Sequence, residues 1–585
     1  MATKYFCYCI GGTGARVAEV AAHLCAMKMI KKVDDLETID FIIVDKDDSC
    51  GGTTQAKETI TNISTLSGLT KTEMLDKAGT IEFCNHKLNI ASWNFSSSLS
   101  RVCNRKKNPT LDQVLGSDAD DKLVMRAFYN KEARETDTEK GFYGKPSLGT
   151  SIFEYMLSEA DQNNQDNQDD QDNQDDQDDQ DNILKPVKNF LGESPNNRAK
   201  VFIIGSIFGG TGAAVFSNLA AYMRKHFERR NKDLLVSGVL LLPYFSFGTR
   251  DGDGDGTPLI NSGDFGKKSY LALSQYAKNE HLMRRAVNDN GSFDSLYICG
   301  QEPMHVVGEY ANGGQGQKNH FDLVDLIAAD AMVDFFNKNF YDNAGAVTDL
   351  GKIYEYRFRG TADNEGKIAH VSQNEIGDLY VNLNKMLRFV VFLVARFAAR
   401  FVINYSRVGS KSRKMWDNVP TFKAVFEWNE FEDNFRNIES AMSKFIPQVL
   451  KYCTDYINLM YDISKTGYNW VKSTEGASKN YNLFDFAAQQ SYIEHVNDIC
   501  SYLNGITGAA NGANNSKDID SLDEKVDVLL KTEKAIRRND NAFKSVDYVT
   551  ENLIAFFGNI EYPPTDSYDK RFGDYIYKAL EICFG

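Results

Sequence analysis

The sequence predicts an α/β fold over its first 340 residues, a parallel sheet with flanking helices, followed by a mostly α-helical C-terminal region. Three observations support this prediction. Short apolar runs alternate with helical periodicity, as expected for parallel strands joined by crossover helices. Two of those runs are each followed by a glycine-rich turn that opens a helix. After residue 375 nearly all of the sequence has helical periodicity and is rich in Phe and Tyr.

The predicted strands are short, almost wholly apolar runs, which is the pattern of buried parallel strands. They comprise residues 5–10, 40–44, 200–205, 234–242 and 295–299. The predicted helices show the longer apolar periodicity of a helix that packs on one face. They comprise residues 15–30, 149–160, 212–227, 267–280 and 320–336, with a less regular stretch between residues 45 and 148. A hairpin is predicted over residues 352–372.

The chain has 585 residues, too many for one hydrophobic core, so we expect two domains, 1–340 and 341–585. Residues 161–182 hold ten Asp and no Lys or Arg, and they are predicted to be a disordered insertion because they cannot bury apolar surface. Without those ten Asp the net charge of -15 becomes about -5, and no basic stripe remains. Nucleic acid is therefore not predicted as a partner.

Composition also predicts a cytoplasmic protein. The ten cysteines are scattered without a Cys-x-x-Cys pair, which favours reduced thiols over disulfides or a zinc site. The N-terminal segment lacks the basic start and apolar core of a signal peptide. Residues 388–405 are apolar but contain Arg388, Arg396 and Arg400, whereas a bilayer span needs about 20 apolar residues. We predict a buried amphipathic helix there and no membrane span. No side chain of the protein is predicted to bind a metal.

Two glycine-rich segments share one design, IGGTGARV (10–17) and FGGTGAAV (208–215). Glycine lets the backbone turn tightly and lets a phosphate approach its N–H groups, and the N-terminus of the following helix favours negative charge. The alternative is that these glycines only allow close packing of helix against strand. The predicted phosphate-binding residues are Gly11, Gly12, Thr13, Gly14, Gly209, Gly210, Thr211 and Gly212.

The segment SIFGGTGAAVFSNLA closely resembles the signature loop of the tubulin/FtsZ superfamily, with Phe208 where the first of three glycines is usual. Further segments resemble other elements of this family, in the family's order. IGGTGARVAEV resembles the first phosphate loop, with Arg16 in place of an asparagine. FIIVDKDD (41–48) resembles the strand and loop that bring an acidic residue, here Asp47, near metal-bound phosphates. GKPSLG (144–149) resembles the loop around the terminal phosphate, which implies contacts by Gly144, Pro146 and Gly149.

FDLVD (321–325) resembles the start of the family's central helix, where Phe stacks on guanine and Asp binds its edge. The residues support this reading independently, because Phe321 and Asp325 are spaced i, i+4 and would lie on one helical face. The family hydrolyses GTP with an acidic loop supplied by the next subunit. Asp349 is the best candidate for that carboxylate and Asp342 the second, with an ordinary surface turn as the alternative.

The resemblance implies a bacterial tubulin-like protein, a GTPase that binds GTP or GDP with Mg²⁺ and self-assembles into cytoskeletal filaments or rings. Its partners would be copies of itself. The helical C-terminal region departs from the mixed α/β domain of the family, and a protein partner would bind there.

Two other functions stay open. A nucleotide-gated scaffold without significant hydrolysis fits the poorly matched acidic loop and the unfamiliar C-terminal half. An NAD-dependent oxidoreductase of the Rossmann type fits the first glycine turn and Asp45, but the last glycine of G-x-G-x-x-G is absent. DGDGDG (251–256) matches half of a calcium loop, but Ser262 stands where a glutamate is needed, so a flexible acidic loop is predicted.

Overall fold

The structure is a computed structural model. It describes residues 2–31, 38–47, 49–70, 72–73, 80–81, 83–95, 110–114, 123, 126–136, 141–142, 144–166, 182–247, 262–300, 305–307, 314–316, 319–343, 345–355, 378–408, 413–469, 487–508, 516–537, 545–560 and 567–584. The chain forms two compact units. The sheet unit comprises Met1–Ala22, Ile30–Ile60 and Leu88–Phe358, and the helical unit comprises His23–Met29, Thr61–Lys87 and Arg359–Gly585. The division at residue 340 stays a prediction.

A seven-stranded sheet organises the sheet unit. The strands of the described chain are β1 (Thr3–Ile10), β2 (Thr38–Asp45), β3 (Thr72–Glu73), β4 (Thr80–Ile81), β5 (Lys87–Asn94), β6 (Arg198–Ser206), β7 (Leu234–Leu241), β8 (Phe245–Phe247), β9 (Ser295–Cys299), β10 (His305–Val307) and β11 (Lys352–Glu355). The sheet has the order β11-β9-β7-β6-β1-β2-β5, and its pairings from β11 to β2 are parallel. The predicted fold class is confirmed.

The strand order reverses between β1 and β6. The chain passes from β1 to β2 on one side of this boundary and from β6 to β7 on the other. The central strands are buried almost throughout, as in TKYFCYCI of β1 and LLVSGVLL of β7, because helices cover both faces of such a sheet. Ligands of doubly wound sheets bind beyond the carboxyl ends of the strands at a reversal of this kind. Both glycine-rich loops begin there.

The helices of the first 340 residues are α1 (Gly11–Ala26), α2 (Gly51–Leu69), α3 (Leu111–Val114), α4 (Lys131–Arg134), α5 (Pro146–Asp166), α6 (Lys185–Glu193), α7 (Thr211–His226), α8 (Phe265–Lys278) and α9 (Leu323–Asn337). The stretch expected to be less regular contains α2, whose GGTTQAKETITNISTLSGL is rich in residues of low helix propensity. The helix predicted over 149–160 extends to Asp166, so the first residues of the acidic tract are helical. Residues 167–181 lie outside the described residues.

The described part of the chain after residue 375 consists of helices joined by short non-helical connections, as predicted. Its helices are α10 (Asp378–Phe392), α11 (Ala399–Val408), α12 (Arg413–Asn418), α13 (Pro420–Val425), α14 (Trp428–Asn469), α15 (Ala487–Gly508), α16 (Ser516–Arg537), α17 (Val546–Phe557) and α18 (Tyr568–Phe584). β11 is the first part of the predicted hairpin, and it pairs in parallel with β9. Residues 356–377 lie outside the described residues, so the hairpin stays a prediction.

The apolar stretch at 388–405 is a buried amphipathic helix, as predicted. α10 continues through a π-helical turn at Leu393–Ala398 into α11, and its apolar side chains are buried in the helical unit. Arg400 pairs with Asp523 at 2.6 Å, and Arg407 pairs with Asp520 at 2.6 Å, both on α16. Among the helices that the structure describes, none is long and apolar enough to cross a bilayer.

Candidate functional site

The two glycine-rich loops lie side by side at the carboxyl ends of β1 and β6. Gly11 has a φ of +69°, which favours glycine, and a Cβ at this position would lie 3.6 Å from the backbone nitrogen of Gly212. The middle of each loop, Gly12 and Thr13 in the first and Gly209 and Gly210 in the second, is half-buried, whereas the residues on either side are buried. α1 and α7 therefore point their amino ends into one crevice, a favourable place for an anion.

The last glycine of each loop has a packing role. A Cβ on Gly14 would lie 2.8 Å from the carbonyl carbon of Cys9 and 2.9 Å from the carbonyl oxygen of Ile204. A Cβ on Gly212 would lie 2.8 Å from the backbone nitrogen of Ser206. These separations leave no room for a side chain at Gly14 or Gly212, which fits the packing alternative at these two positions. The phosphate contacts of both loops stay a prediction.

The third loop, residues 144–149, adjoins the second. A Cβ on Gly210 would lie 3.2 Å from the backbone nitrogen of Gly144, which itself has a φ of +66°. Pro146 begins α5, and Lys268 donates from Nζ to the carbonyl of Gly144 at 3.0 Å. The structure thus brings the three predicted phosphate loops together around the same crevice.

Gly149 packs α5 against α7, since a Cβ there would lie 2.7 Å from the Cβ of Ala214. Phe208, which replaces a glycine of the family's loop, is buried against Phe245 and Phe265, with ring centroids 5.4 Å and 4.9 Å away. The extra side chain therefore fills the interior below the second loop.

Two carboxylates follow β2, and they have different surroundings. Asp47 is engaged by backbone donors, because it accepts hydrogen bonds from the backbone nitrogen of Ser49 in its own loop at 3.0 Å and from that of the sequence-distant Gly314 at 2.6 Å. Asp45 lies nearer the phosphate loops. Its Oδ1 accepts from the backbone nitrogen of Lys46 at 2.8 Å and from Thr211 Oγ1 at 3.4 Å. The nucleotide role of Asp47 stays a prediction. Because Asp45 contacts Thr211 of the second loop, we add it to the candidate site.

Burial raises the pKa of Asp45 to about 7. Its Oδ2 makes no hydrogen bond within the described residues. A carboxylate beside a hydroxyl fits the usual Mg²⁺ site of nucleotide-binding proteins, in which one or two carboxylates act together with phosphate and water oxygens. Asp45 and Thr211 would hold such an ion. Within the described residues, no three His, Cys, Asp or Glu side chains are arranged to hold a metal by themselves.

Arg16, Tyr244 and Asp325 form a buried cluster next to the first loop. Arg16 Nε donates to Asp325 Oδ2 at 2.7 Å, and its guanidinium also donates to the hydroxyl of Tyr244. That hydroxyl donates to Asp325 Oδ1 at 2.6 Å. Arg16 is 7% exposed and Asp325 is 0% exposed. Arg16 and Asp325, which were both predicted to contact the nucleotide, therefore bind each other.

The charges of this cluster depend on one another. Burial opposes the charge on Arg16, but Asp325 and Tyr244 outweigh that effect and raise the pKa of Arg16. Burial raises the pKa of Asp325, and Arg16 acts in the opposite direction. Because the guanidinium remains protonated in proteins, it favours the carboxylate form of Asp325.

The helix that carries Asp325 begins later than predicted. The prediction placed its start at residue 320, but α9 begins at Leu323, with Asp322 as its N-cap at a φ of -120°. Asp322 accepts from the backbone nitrogen of Val324, and Asp325 Oδ2 accepts from that of Asp322 at 2.9 Å. Phe321, which is buried, thus precedes the helix and does not share a helical face with Asp325. The D-x-x-D spacing resembles a capping box, a signal available in the sequence.

Asp349 lies at the opposite end of the sheet unit from the loops. It follows the carboxyl end of α9, and nearby Gly351 donates from its backbone nitrogen to the carbonyl of Asp294, which precedes β9. Since α9 has 15 residues, roughly 20 Å separates its two ends. Asp349 has a φ of 60°, rare for a residue other than glycine, and Lys338 and Lys352 approach it within 3.7 Å and 3.6 Å.

Asp342, the second candidate carboxylate, holds the turn before Asp349. Its Oδ1 accepts from the backbone nitrogen of Ala346 at 2.8 Å. Neither aspartate can meet the phosphate loops of its own chain. The predicted DGDGDG loop lies outside the described residues.

The fold and the crevice define a doubly wound α/β protein with a candidate ligand site beside two glycine-rich loops. Residues 133–261 match a family model described as "Tubulin like". This segment contains the third and second loops, and it spans about a fifth of the chain. No curated protein matches the chain. The predicted resemblance is confirmed over this segment: residues 133–261 are similar to tubulin-like proteins, and the single match is consistent with a divergent sequence.

Proposed function

We propose that this protein binds GTP with Mg²⁺ between its glycine-rich loops, assembles head to tail, and hydrolyses GTP at the contact between subunits. One observation carries the proposal. The phosphate loops lie beyond the carboxyl ends of the strands, whereas the carboxylate suited to hydrolysis, Asp349, lies at the other end of the same unit.

The phosphates would bind backbone N–H groups of the first and second loops, in the crevice that α1 and α7 face with their amino ends. Thr211 would add a hydroxyl donor. Asp45 would bind Mg²⁺, which neutralises phosphate charge during the reaction. The third loop, in contact with the second at Gly210, would close around the terminal phosphate.

Assembly follows from the separation of the two ends. A contact between the loop end of one subunit and the Asp349 end of the next is heterologous, and a heterologous contact that does not close into a ring builds a filament. The turn suits such a role, because the backbone of Asp349 is held in a rarely populated conformation and Lys338 and Lys352 orient its side chain.

In the assembled site, Asp349 would orient a water molecule against the terminal phosphate of the neighbouring subunit. The water oxygen bonds to the γ-phosphorus, the bond from that phosphorus to the bridging oxygen breaks, and a water proton passes to the Asp349 carboxylate. GDP leaves with the negative charge. Positioning and charge neutralisation supply most of the rate in such transfers.

A nucleotide-gated scaffold is the second candidate, and the two lysines near Asp349 favour it. A carboxylate engaged by Lys338 and Lys352 is less available to a water molecule, so nucleotide binding would drive assembly while hydrolysis is slow. The helical unit would then recruit a partner.

The test measures GTP turnover and light scattering over a range of protein concentrations with Mg²⁺. We expect turnover per molecule to rise together with scattering above a critical concentration. Asp349→Ala should lower turnover roughly 100-fold or more and leave GTP binding intact, since a positioned acid or base contributes about that factor. Asp433→Ala, on an exposed face of α14, is the matched control. Assembly without turnover would favour the scaffold, and no response to GTP would refute both functions.

A further inference from the structure

We propose that Arg16 and Tyr244 withhold Asp325 from base recognition, so that the pocket accepts purine nucleoside triphosphates without selecting guanine. This assignment rests on the proposed nucleotide site and concerns only its base end. It names Arg16 as the residue that sets base specificity.

The carboxylate of Asp325 is already occupied. Its Oδ1 accepts from the Tyr244 hydroxyl at 2.6 Å, and its Oδ2 accepts from Arg16 Nε at 2.7 Å and from the backbone nitrogen of Asp322 at 2.9 Å. The side chain has no solvent-exposed surface. Guanine would present N1–H and N2–H₂ to both oxygens at once. It could bind them only after displacing donors that the protein itself supplies.

Displacing Arg16 is unfavourable. Its guanidinium is nearly buried. In addition to its hydrogen bonds with Asp325 and the Tyr244 hydroxyl, it lies 5.8 Å from the ring centroid of Tyr244 and 5.7 Å from that of Phe245. Separating a buried ion pair leaves an uncompensated charge, which is among the most costly changes inside a protein. The backbone nitrogen of Asp322 belongs to the cap of α9, so it cannot move without unwinding the start of that helix.

Comparing GTP, ITP and ATP distinguishes a base pocket that recognises guanine from one that does not. ITP lacks the N2 amino group of GTP, and ATP presents a different donor and acceptor pattern at the same edge. If Asp325 bound guanine, loss of a hydrogen bond to its charge would weaken ITP by roughly 10-fold or more. If Arg16 keeps Asp325 occupied, GTP and ITP should bind equally and ATP within about 10-fold of them.

The experiment measures the dissociation constants of GTP, ITP and ATP for the full-length protein by isothermal titration calorimetry with Mg²⁺. Asp325→Asn should leave the GTP to ATP ratio unchanged. Arg16→Asn removes the charged donor from Asp325 Oδ2 and should raise the preference for GTP over ATP by at least roughly 10-fold. Arg229→Asn, the same change at an exposed residue, should not.

The outcomes are separable. A wild-type preference for GTP above about 100-fold that Asp325→Asn abolishes would overturn the assignment and leave the proposed function standing. Failure of all three nucleotides to bind would overturn both. The wild-type comparison of GTP with ITP needs no variant, so it decides the question even if Arg16→Asn does not fold.

Discussion

The side chain of Lys200 caps the carboxyl end of α9, with its Nζ 2.9 Å from the carbonyl oxygen of Phe336. The same ammonium donates to the carbonyl of Lys338 at 2.7 Å, and it is nearly buried. Carbonyls at this end of a helix lack partners within the helix, so a cation there satisfies them and offsets the helix dipole. Lys338 in turn approaches Asp349. Lys200 thus connects β6 to the turn that carries the proposed catalytic carboxylate.

Lys200→Met should lower the free energy of unfolding by about 1–3 kcal/mol, because the carbonyl of Lys338 loses this donor and that of Phe336 keeps only the hydroxyl of Tyr5, while the volume of the side chain is kept. Urea unfolding followed by circular dichroism measures this. Lys188→Met, on an exposed face of α6, is the control and should change stability by less than about 0.5 kcal/mol. Equal stability of the wild type and Lys200→Met would show that water or other groups satisfy these carbonyls.

Much of the sheet could be predicted from the sequence, since buried parallel strands are continuous apolar runs. The predicted 295–299 coincides with β9, and 234–242 differs from β7 by one residue. α2 was missed because Thr and Ser obscure its helical periodicity. The loops were identified because glycine spacing is local. The pairing of Arg16 with Asp325 could not be predicted, because the two positions are 309 apart in the sequence and either side chain was equally suited to bind a ligand.

Because His23 is buried, we expect the stability of the helical unit to fall at acidic pH. His23 has no exposed surface, packs 5.6 Å from the ring centroids of Tyr452 and Tyr456, and neither ring nitrogen has a hydrogen-bond partner within the described residues. Burial lowers the pKa of His23 to about 3, whereas an unfolded histidine titrates near pH 6.5. Between these values the unfolded chain binds a proton that the folded chain does not. Stability therefore falls as the pH falls from 6.5 toward 3.

His23→Phe should remove this dependence. Between pH 7 and pH 5 the free energy of unfolding of the wild type should fall by about 2 kcal/mol more than that of the variant. Chemical unfolding at each pH provides the comparison, with His281→Phe at an exposed position as the control. Parallel pH profiles for wild type and His23→Phe would mean that the imidazole is solvated or paired in solution.

Asp523 pairs with two arginines inside the helical unit, and we expect the stabilisation from these pairs to depend on salt. Asp523 accepts from Arg400 at 2.6 Å and from Arg407 at 2.5 Å, and its side chain is about a quarter exposed. Partly exposed pairs contribute little singly, but one carboxylate between two arginines also relieves their mutual repulsion. Asp523→Asn should cost about 1 kcal/mol at low salt, and the loss should shrink in 1 M NaCl because ions screen such charges. Thermal unfolding at both salt concentrations measures it, with Asp433→Asn as control. A loss independent of salt would indicate a packing effect instead.

Mixing two inactive variants tests whether the hydrolytic site is shared between subunits. Asp349→Ala keeps an intact nucleotide pocket but lacks the carboxylate. Gly12→Asp keeps Asp349 but places a negative charge among the phosphate-binding N–H groups, and a Cβ at Gly12 lies 3.4 Å from its nearest neighbour, Cys50 Sγ, so the fold should tolerate it. Each variant alone should be nearly inactive.

In a one-to-one mixture, about a quarter of head-to-tail contacts would join the intact pocket of the Asp349→Ala chain to Asp349 of the other chain. GTP turnover should then recover to roughly that fraction of the wild-type rate, provided that both variants enter the same assemblies. Co-sedimentation of the mixture checks the last condition. Recovery requires that the pocket and the carboxylate come from different chains, because neither variant contains both. Co-assembly with no recovery would place the hydrolytic group within the chain that binds the nucleotide and would remove Asp349 from the mechanism.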